Sequence, residues 1–300
     1  MQKYDLIVVG SGPAGLTAAI YATRYKMKVL VIGKTHGGYA GIAHDITNFP
    51  SHEKITGAQL MIKILNQAKS LGAEIKLEEV VDIKKLKDFY VTTRKNKYSG
   101  RIIIIATGTD KKKLGIEGEN ELIGKGISYC ATCDAALYKN KITAVIGGGD
   151  SAISTAILLG KFAKKVYIIY KRSEFEKANP TLKTELKKNK NIELIFNSSI
   201  ERLIGKNYLE GIEIIKERKK EILKINGLFI EIGSVPGIGL AKMLGINIEN
   251  NYIVVDKRQK TNIDGVYAAG DVTNNPLKQI ITACAEGAIA ANTAYAELNK

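Results

Sequence analysis

The sequence predicts an α/β fold with two Rossmann-like three-layer domains, the second inserted in the first. Three features point to it: an apolar strand, glycine turn and helix at the N-terminus, a second copy mid-chain, and a strand and helix near the end that return to the first. Residues 5–9 (Asp-Leu-Ile-Val-Val) are a short apolar run ending at a glycine, as a buried parallel strand does. Residues 10–15 turn, Pro13 suits the first turn of a helix, 16–25 read as helix and 28–32 as the next strand, completing a βαβ unit. Residues 58–71 form an amphipathic helix with Leu60, Ile64, Leu65, Ala68 and Leu71 on one stripe. A buried strand at 101–105 ends in Ala106-Thr107-Gly108, and the lysine-rich 111–113 follow as a hinge. The pattern then restarts with strand 141–146, turn 147–149, helix 151–162 and strand 165–170, and 228–232 adds a further strand. Strand 265–269 and the small-residue helix 281–298 close the chain.

A length of 300 residues agrees with two domains, and 45% apolar with 25% charged residues is an ordinary globular composition. No apolar run approaches the roughly 18 residues of a membrane span. The N-terminal apolar run, 6–9, is short and leads into a glycine turn, unlike a signal peptide, so a cytoplasmic location is expected. The net charge of +15 comes from lysines scattered through polar stretches such as 84–87 and 217–224, with glutamates among them. They are not interleaved with aromatics, so a solvated surface is expected rather than a nucleic-acid platform. The positive field still favours acidic partners.

GSGPAG at 10–15 matches G-x-G-x-x-G between a strand and a helix. Gly10 permits the tight turn, Gly12 the approach of a diphosphate and Gly15 close helix–strand packing, with Pro13 and Ala14 between them. The helix N-terminus then offers free N–H groups to the anion, so the domain is nucleotide-binding. The acid expected at the end of the second strand is absent, for Gly33 and Lys34 stand there. GGGDSA, comprising Gly147, Gly148, Gly149, Asp150, Ser151 and Ala152, is the second loop. Lys171 and Arg172 at the end of its following strand suit a 2′-phosphate, hence NADP.

Cys130 and Cys133 form a C-x-x-C. A structural zinc site wants four ligands, and Cys284, His36, His44 and His52 show no ligand-like spacing with them, so no metal is expected. Dithiol redox chemistry fits better, with Asp134 as either an acid–base group for a leaving thiol or a helix cap. Cys284, among alanines, reads as a small buried hydrophobe.

Over essentially its full length the chain resembles the low-molecular-weight thioredoxin reductases. GSGPAG, GGYAGIAHDITNFP, IATGT, CATCD, VIGGGDSA, TNIDGVYAAGDV and KQIITACAEG stand in that family's order, and CATCD before GGGDSA is the most specific of them. The resemblance implies an FAD-binding domain from 1–113 and 241–300, an NAD(P)H-binding domain from 114–240 carrying the thiols, a hinge near 111–117 and 237–243, and a homodimer. It places FAD against Gly10, Gly12, Gly15, Gly33, Gly38, Asn48, Ala106, Thr107, Gly108, Gly270, Asp271, Lys278, Gln279 and Ile280. It makes Cys133 the thiol nearest the flavin, Cys130 the attacking thiol and Asp134 the acid–base group. The partner it implies is thioredoxin or a glutaredoxin-like protein.

Four positions depart from the family pattern. GGQ reads Gly37-Gly38-Tyr39, RQ reads Lys278-Gln279, and G-x-x-P-N reads Gly233-Ser234-Val235-Pro236-Gly237. The phosphate clamp HRRxxxR reads Tyr170-Lys171-Arg172 followed by Glu176, which leaves NADPH beside NADH, a deazaflavin or ferredoxin as donor. The intact GGGDSA favours a nicotinamide donor. A ferredoxin–NADP-type reductase on this scaffold would lack CATCD. A non-turnover flavin redox sensor is the alternative of another class.

Overall fold

The computed structural model describes residues 2–43, 46–176 and 178–298; His44, weighed above as a metal ligand, lies outside them. The chain divides into two compact units, Met1–Asp110 with Val235–Lys300, and Lys111–Ser234.

The first unit is built on a seven-stranded sheet. Strands Glu74–Leu77, Val29–Gly33, Lys3–Val9 and Lys97–Ile105 lie side by side in that order, all parallel. The long strand Lys97–Ile105 changes neighbour along its other edge. Its first half pairs antiparallel with Phe89–Thr93, and its last three residues pair in parallel with Val266–Ala268. The period-two alternation of strands decides the two faces. Leu6, Val8, Ile102 and Ile104 face helices Pro13–Arg24, Gly57–Ser70 and Ile280–Leu298. Ile7, Val9, Ile103 and Ile105 face a layer containing Ile238, Ala241, Ile246 and Ile253. Each such fully buried side chain contributes roughly 1.5–3 kcal/mol.

Helix Gly57–Ser70 starts at a capping box, Thr56 with Gln59, that the hydrophobic stripe alone did not show. Leu71, expected on that stripe, is instead the C-terminal cap and 38% exposed, because the helix has ended. Residues 237–243, expected as a hinge, are built into the first unit. The Gly237 N–H donates to the Gly108 carbonyl and the Thr107 hydroxyl to the Gly237 carbonyl, both at 2.9 Å, while Ile238 and Ala241 are buried.

The second unit has a five-stranded parallel sheet, ordered Ile192–Ile195, Lys165–Ile169, Ile142–Ile146, Gly227–Ile230 and Ile127–Ser128. Helix Asp150–Gly160 and the short helix Ala131–Asp134 cover one face, with Val145 and Phe229 beneath. An antiparallel sheet of Ser198–Ile204, Gly211–Lys216 and Lys219–Lys224 brings Ile200, Ile212 and Ile214 to the other. No helix among the described residues is long and apolar enough to cross a membrane.

The first and last helices of the first unit meet through small residues, Ala14 and Ala18 against Ala283, Gly287 and Ala290. A Cβ on Gly287 would sit 2.1 Å from the Ala14 carbonyl oxygen. Gly287→Ala therefore lowers stability by about 1–3 kcal/mol in urea unfolding, although helix propensity alone would return about 1 kcal/mol.

Candidate redox and nucleotide sites

In the first unit the chain cannot pass through Gly10 with a side chain. Its φ is +118°, and a Cβ would lie 2.0 Å from the Ala106 carbonyl oxygen. A Cβ on Gly15 would lie 1.9 Å from the Gly10 carbonyl oxygen, so turn and helix pack backbone to backbone. Gly12 is the opposite case: the nearest atom to its Cβ position is 4.0 Å away. Helix Pro13–Arg24 has no side-chain cap, so its first N–H groups face that open space.

Other expected residues gather around this loop. A Cβ on Gly38 would be 3.4 Å from Gly12, one on Gly33 would strike the Ser11 side chain, and one on Gly270 would be 2.9 Å from the Ala14 Cβ. Ala106 follows on, its N–H on the Val9 carbonyl, with Thr107 and Gly108 after it. The Asn48 amide donates to Gln279 Oε1 at 2.8 Å, joining two residues far apart in sequence. Ile280 opens the last helix and packs on the Ile46, Ile55 and Leu60 cluster. Asp271 and Lys278 are half-buried. Burial pushes the Asp271 carboxyl up against the charge of Lys278, and the Lys278 ammonium down against the charges of Glu286 and Asp271. Lys278 donates to the Thr273 carbonyl and lies 4.5 Å from the Tyr252 ring centre.

Sequence reasoning missed Glu286 in the last helix. Its carboxylate is buried, accepting the Gly270 N–H at 2.7 Å and the Thr273 hydroxyl at 3.2 Å, so it holds the 270–273 turn. Burial raises its pKa, and hydrogen bonds around it oppose the rise. Its signal was an acid in the middle of an alanine-rich helix. Cys284, two residues before it in the same helix, is a free, half-buried thiol whose pKa burial raises.

In the second unit, Gly147 (φ +140°) repeats the Gly10 situation, with the Glu231 carbonyl oxygen 2.1 Å from a Cβ. Gly149 has nothing within 4 Å of its Cβ position and precedes helix Asp150–Gly160, which also lacks a side-chain cap. Asp150 and Ser151 occupy the exposed first turn and Ala152 is buried. Lys171 and Arg172 follow strand Lys165–Ile169 and are exposed.

Cys130 and Cys133 form a disulfide with Cα atoms 5.3 Å apart. Cys130 caps the short helix Ala131–Asp134, and the Cys133 N–H donates to its sulfur at 3.2 Å. That N–H favours negative charge on Cys130 after reduction. Cys130 is half-buried and Cys133 exposed. The sequence did not reveal Ser128, 4% exposed at the end of the preceding strand. Its hydroxyl donates to Asp134 Oδ2 at 2.7 Å and accepts the Cys130 N–H at 3.0 Å. One side chain thus fixes both the acid and the first cysteine. S-x-C-x-x-C-D spacing at a strand end is the signal that could have found it. Tyr129 donates to Glu119, which also accepts the N–H groups of Leu114 (3.0 Å) and Gly115 (2.8 Å). Burial alone would raise the Glu119 carboxyl, but these hydrogen bonds outweigh it and hold it low.

The family model for pyridine nucleotide-disulphide oxidoreductases matches residues 4–287. A curated thioredoxin reductase of Listeria monocytogenes is 39% identical over 97% of this chain and 92% of its own length. The Bacillus subtilis thioredoxin reductase is 37% identical over 97% and 93%. Among solved structures, the thioredoxin reductase of T. acidophilum superposes with a TM-score of 0.93 at 34% identity over the whole of both chains. That of Lactococcus lactis gives 0.92 at 34% identity over 98% of each. The chain belongs to the pyridine nucleotide-disulphide oxidoreductase family.

Proposed function

We propose that the chain is a thioredoxin-disulfide reductase, a homodimeric, cytoplasmic FAD enzyme that takes electrons from NADPH and delivers them to thioredoxin or a glutaredoxin-like protein. The observation that carries this reading is the Cys130–Cys133 disulfide, clamped to an acid and built on the same unit as a glycine loop. Relatives matched over nearly their whole length and named thioredoxin reductase support it.

Both loops fit a dinucleotide. Each has an unobstructed glycine, Gly12 or Gly149, before a helix with uncapped N–H groups. FAD would lie against Gly10, Gly12, Pro13, Ala14 and Gly15, with Gly33, Gly38, Asn48, 106–108, Gly270, Asp271, Lys278, Gln279 and Ile280 around it. The nicotinamide nucleotide would lie against Gly147, Gly149, Asp150, Ser151 and Ala152, with Lys171 and Arg172 at the ribose. When bound, the two cofactors supply hydride chemistry that gives the disulfide an electron pair.

The protein's own residues then carry out the exchange. Cys130 passes its proton to Asp134 and attacks one sulfur of the partner's disulfide. A mixed disulfide forms, and the departing sulfur takes the proton back from Asp134. Cys133 next gives up its proton to Asp134 and attacks the Cys130 sulfur, and the partner's second sulfur takes that proton and leaves as a thiol, restoring the internal disulfide. Ser128 holds Asp134 beside the pair through both steps.

Cys130→Ser abolishes thioredoxin reduction while NADPH still bleaches the flavin in stopped flow; a variant that turns over at full rate sinks the assignment. Ser128→Ala slows thioredoxin reduction by about tenfold or more, the scale of a hydrogen bond to a charged group, and Ser128→Thr recovers most of the rate.

A further inference from the structure

Resting on the donor reading above, we propose that Glu176 determines donor specificity: its carboxylate occupies the Arg172 guanidinium, so the site accepts NADH alongside NADPH.

Arg172 lies just past the end of strand Lys165–Ile169, where a unit of this kind meets the adenosine ribose. Its Nη1 donates to Glu176 Oε2. The two side chains are 49% and 45% exposed, so a ribose can reach them. The segment bearing Glu176 is held in place. Phe175 is 7% exposed, stacked on Tyr170 at 5.7 Å and edge-on to Phe196 at 5.1 Å. The Arg172 carbonyl accepts the Asn197 N–H at 3.1 Å, and Asp150 Oδ1 accepts the Asn179 N–H at 2.7 Å. Tyr170 is seated so tightly on the glycine loop that a Cβ at Gly148 would lie 2.3 Å from its ring. Glu176 is therefore anchored next to the loop that receives the nucleotide.

A 2′-phosphate carries a charge of about −1.5 to −2 and is held most tightly by a free arginine fork. Here the fork is already engaged by a carboxylate, and a phosphate must displace an anion that also repels it. Lys171 offers only a point charge, and Glu174 adds a further acid, so basic and acidic side chains balance over 171–176. A 2′-hydroxyl meets none of this opposition. It is a donor, and a carboxylate at this position is its natural acceptor. Nothing in the pair blocks NADPH outright, since Lys171 and Arg172 remain beside it.

The test compares 2′,5′-ADP with 5′-AMP by calorimetry on the holoenzyme, and kcat/KM for NADPH with that for NADH. The expected result is that both ratios stay within about tenfold, the size of one charged hydrogen bond. Glu176→Arg is expected to move the kcat/KM ratio toward NADPH by about tenfold or more through KM rather than kcat, and Glu176→Gln by less in the same direction. A wild-type preference for NADPH above about 100-fold, or a ratio unmoved in Glu176→Arg, overturns the proposal. Flavin that neither nucleotide bleaches overturns the donor reading itself, a failure distinct from a strong NADPH preference.

Discussion

Backbone approaching backbone with no room for a methyl group is the constraint on which both units rest. Gly10 against Ala106, Gly15 against Gly10, and Gly147 against Glu231 are three cases of it. Each closes a strand onto the start of a helix, so the helix N–H groups end at a fixed place and direction. In the first unit Gly287 adds the same closeness between the first and last helices. The final helix is then near enough to the nucleotide loop for Glu286 to reach the Gly270 N–H. Had Gly10, Gly15 or Gly287 been alanine, the buried carboxylate of the first unit would lose the geometry that compensates its burial. The anion cradle and its support thus come from one packing rule applied four times.

The redox segment depends on a different device, because four helical residues cannot hold themselves. An isolated helix that short is unstable in water. Helix Ala131–Asp134 is held by packing of Ala131 in the core under helix Asp150–Gly160, and by Ser128 at its start. Glu119 ties Tyr129, the neighbour of Cys130, to the amides of Leu114 and Gly115. The cysteines therefore sit at the meeting point of two polar networks, one ending in Asp134 and one in the segment where the second unit begins. Opening and closing a disulfide changes local geometry, and a reactive pair benefits when the backbone carrying it is fixed by groups that do not react.

Much of this was legible in the sequence for an identifiable reason. The strands at 5–9, 28–32, 101–105, 141–146 and 165–170 are largely buried past a charged first residue, so they appear as short, mostly apolar runs. The three-stranded sheet from Ser198 to Lys224 was not legible. Only one of its faces is buried: Ile212 and Ile214 point inward, while Lys219, Lys220 and Glu221 on the edge strand stay in water. Read linearly, that segment is a charged stretch. Its lysines have a structural use, because charge on an exposed edge strand discourages pairing with another chain. At the sites, Cys130, Cys133, Asp134 and the glycines announce themselves through spacing. Ser128, Glu119 and Glu286 are less visible, since each acts through hydrogen bonds whose geometry only the folded backbone sets.

Charge works at two ranges in this molecule, and they act differently on a nucleotide. The net charge of +15 makes a field that attracts any acidic partner or phosphorylated donor, and that field is screened within about 8–10 Å at physiological salt. It raises the rate of encounter for either donor, more for the one that carries the extra phosphate, but it does not hold that phosphate in place. Selection belongs to groups within hydrogen-bonding distance, where screening is weak. There the Arg172–Glu176 pair has spent the one bidentate cation of the segment on a neighbouring side chain. A strongly basic surface is thus compatible with a nearly charge-balanced segment around the Arg172–Glu176 pair, because attraction and discrimination are settled at different distances by different residues.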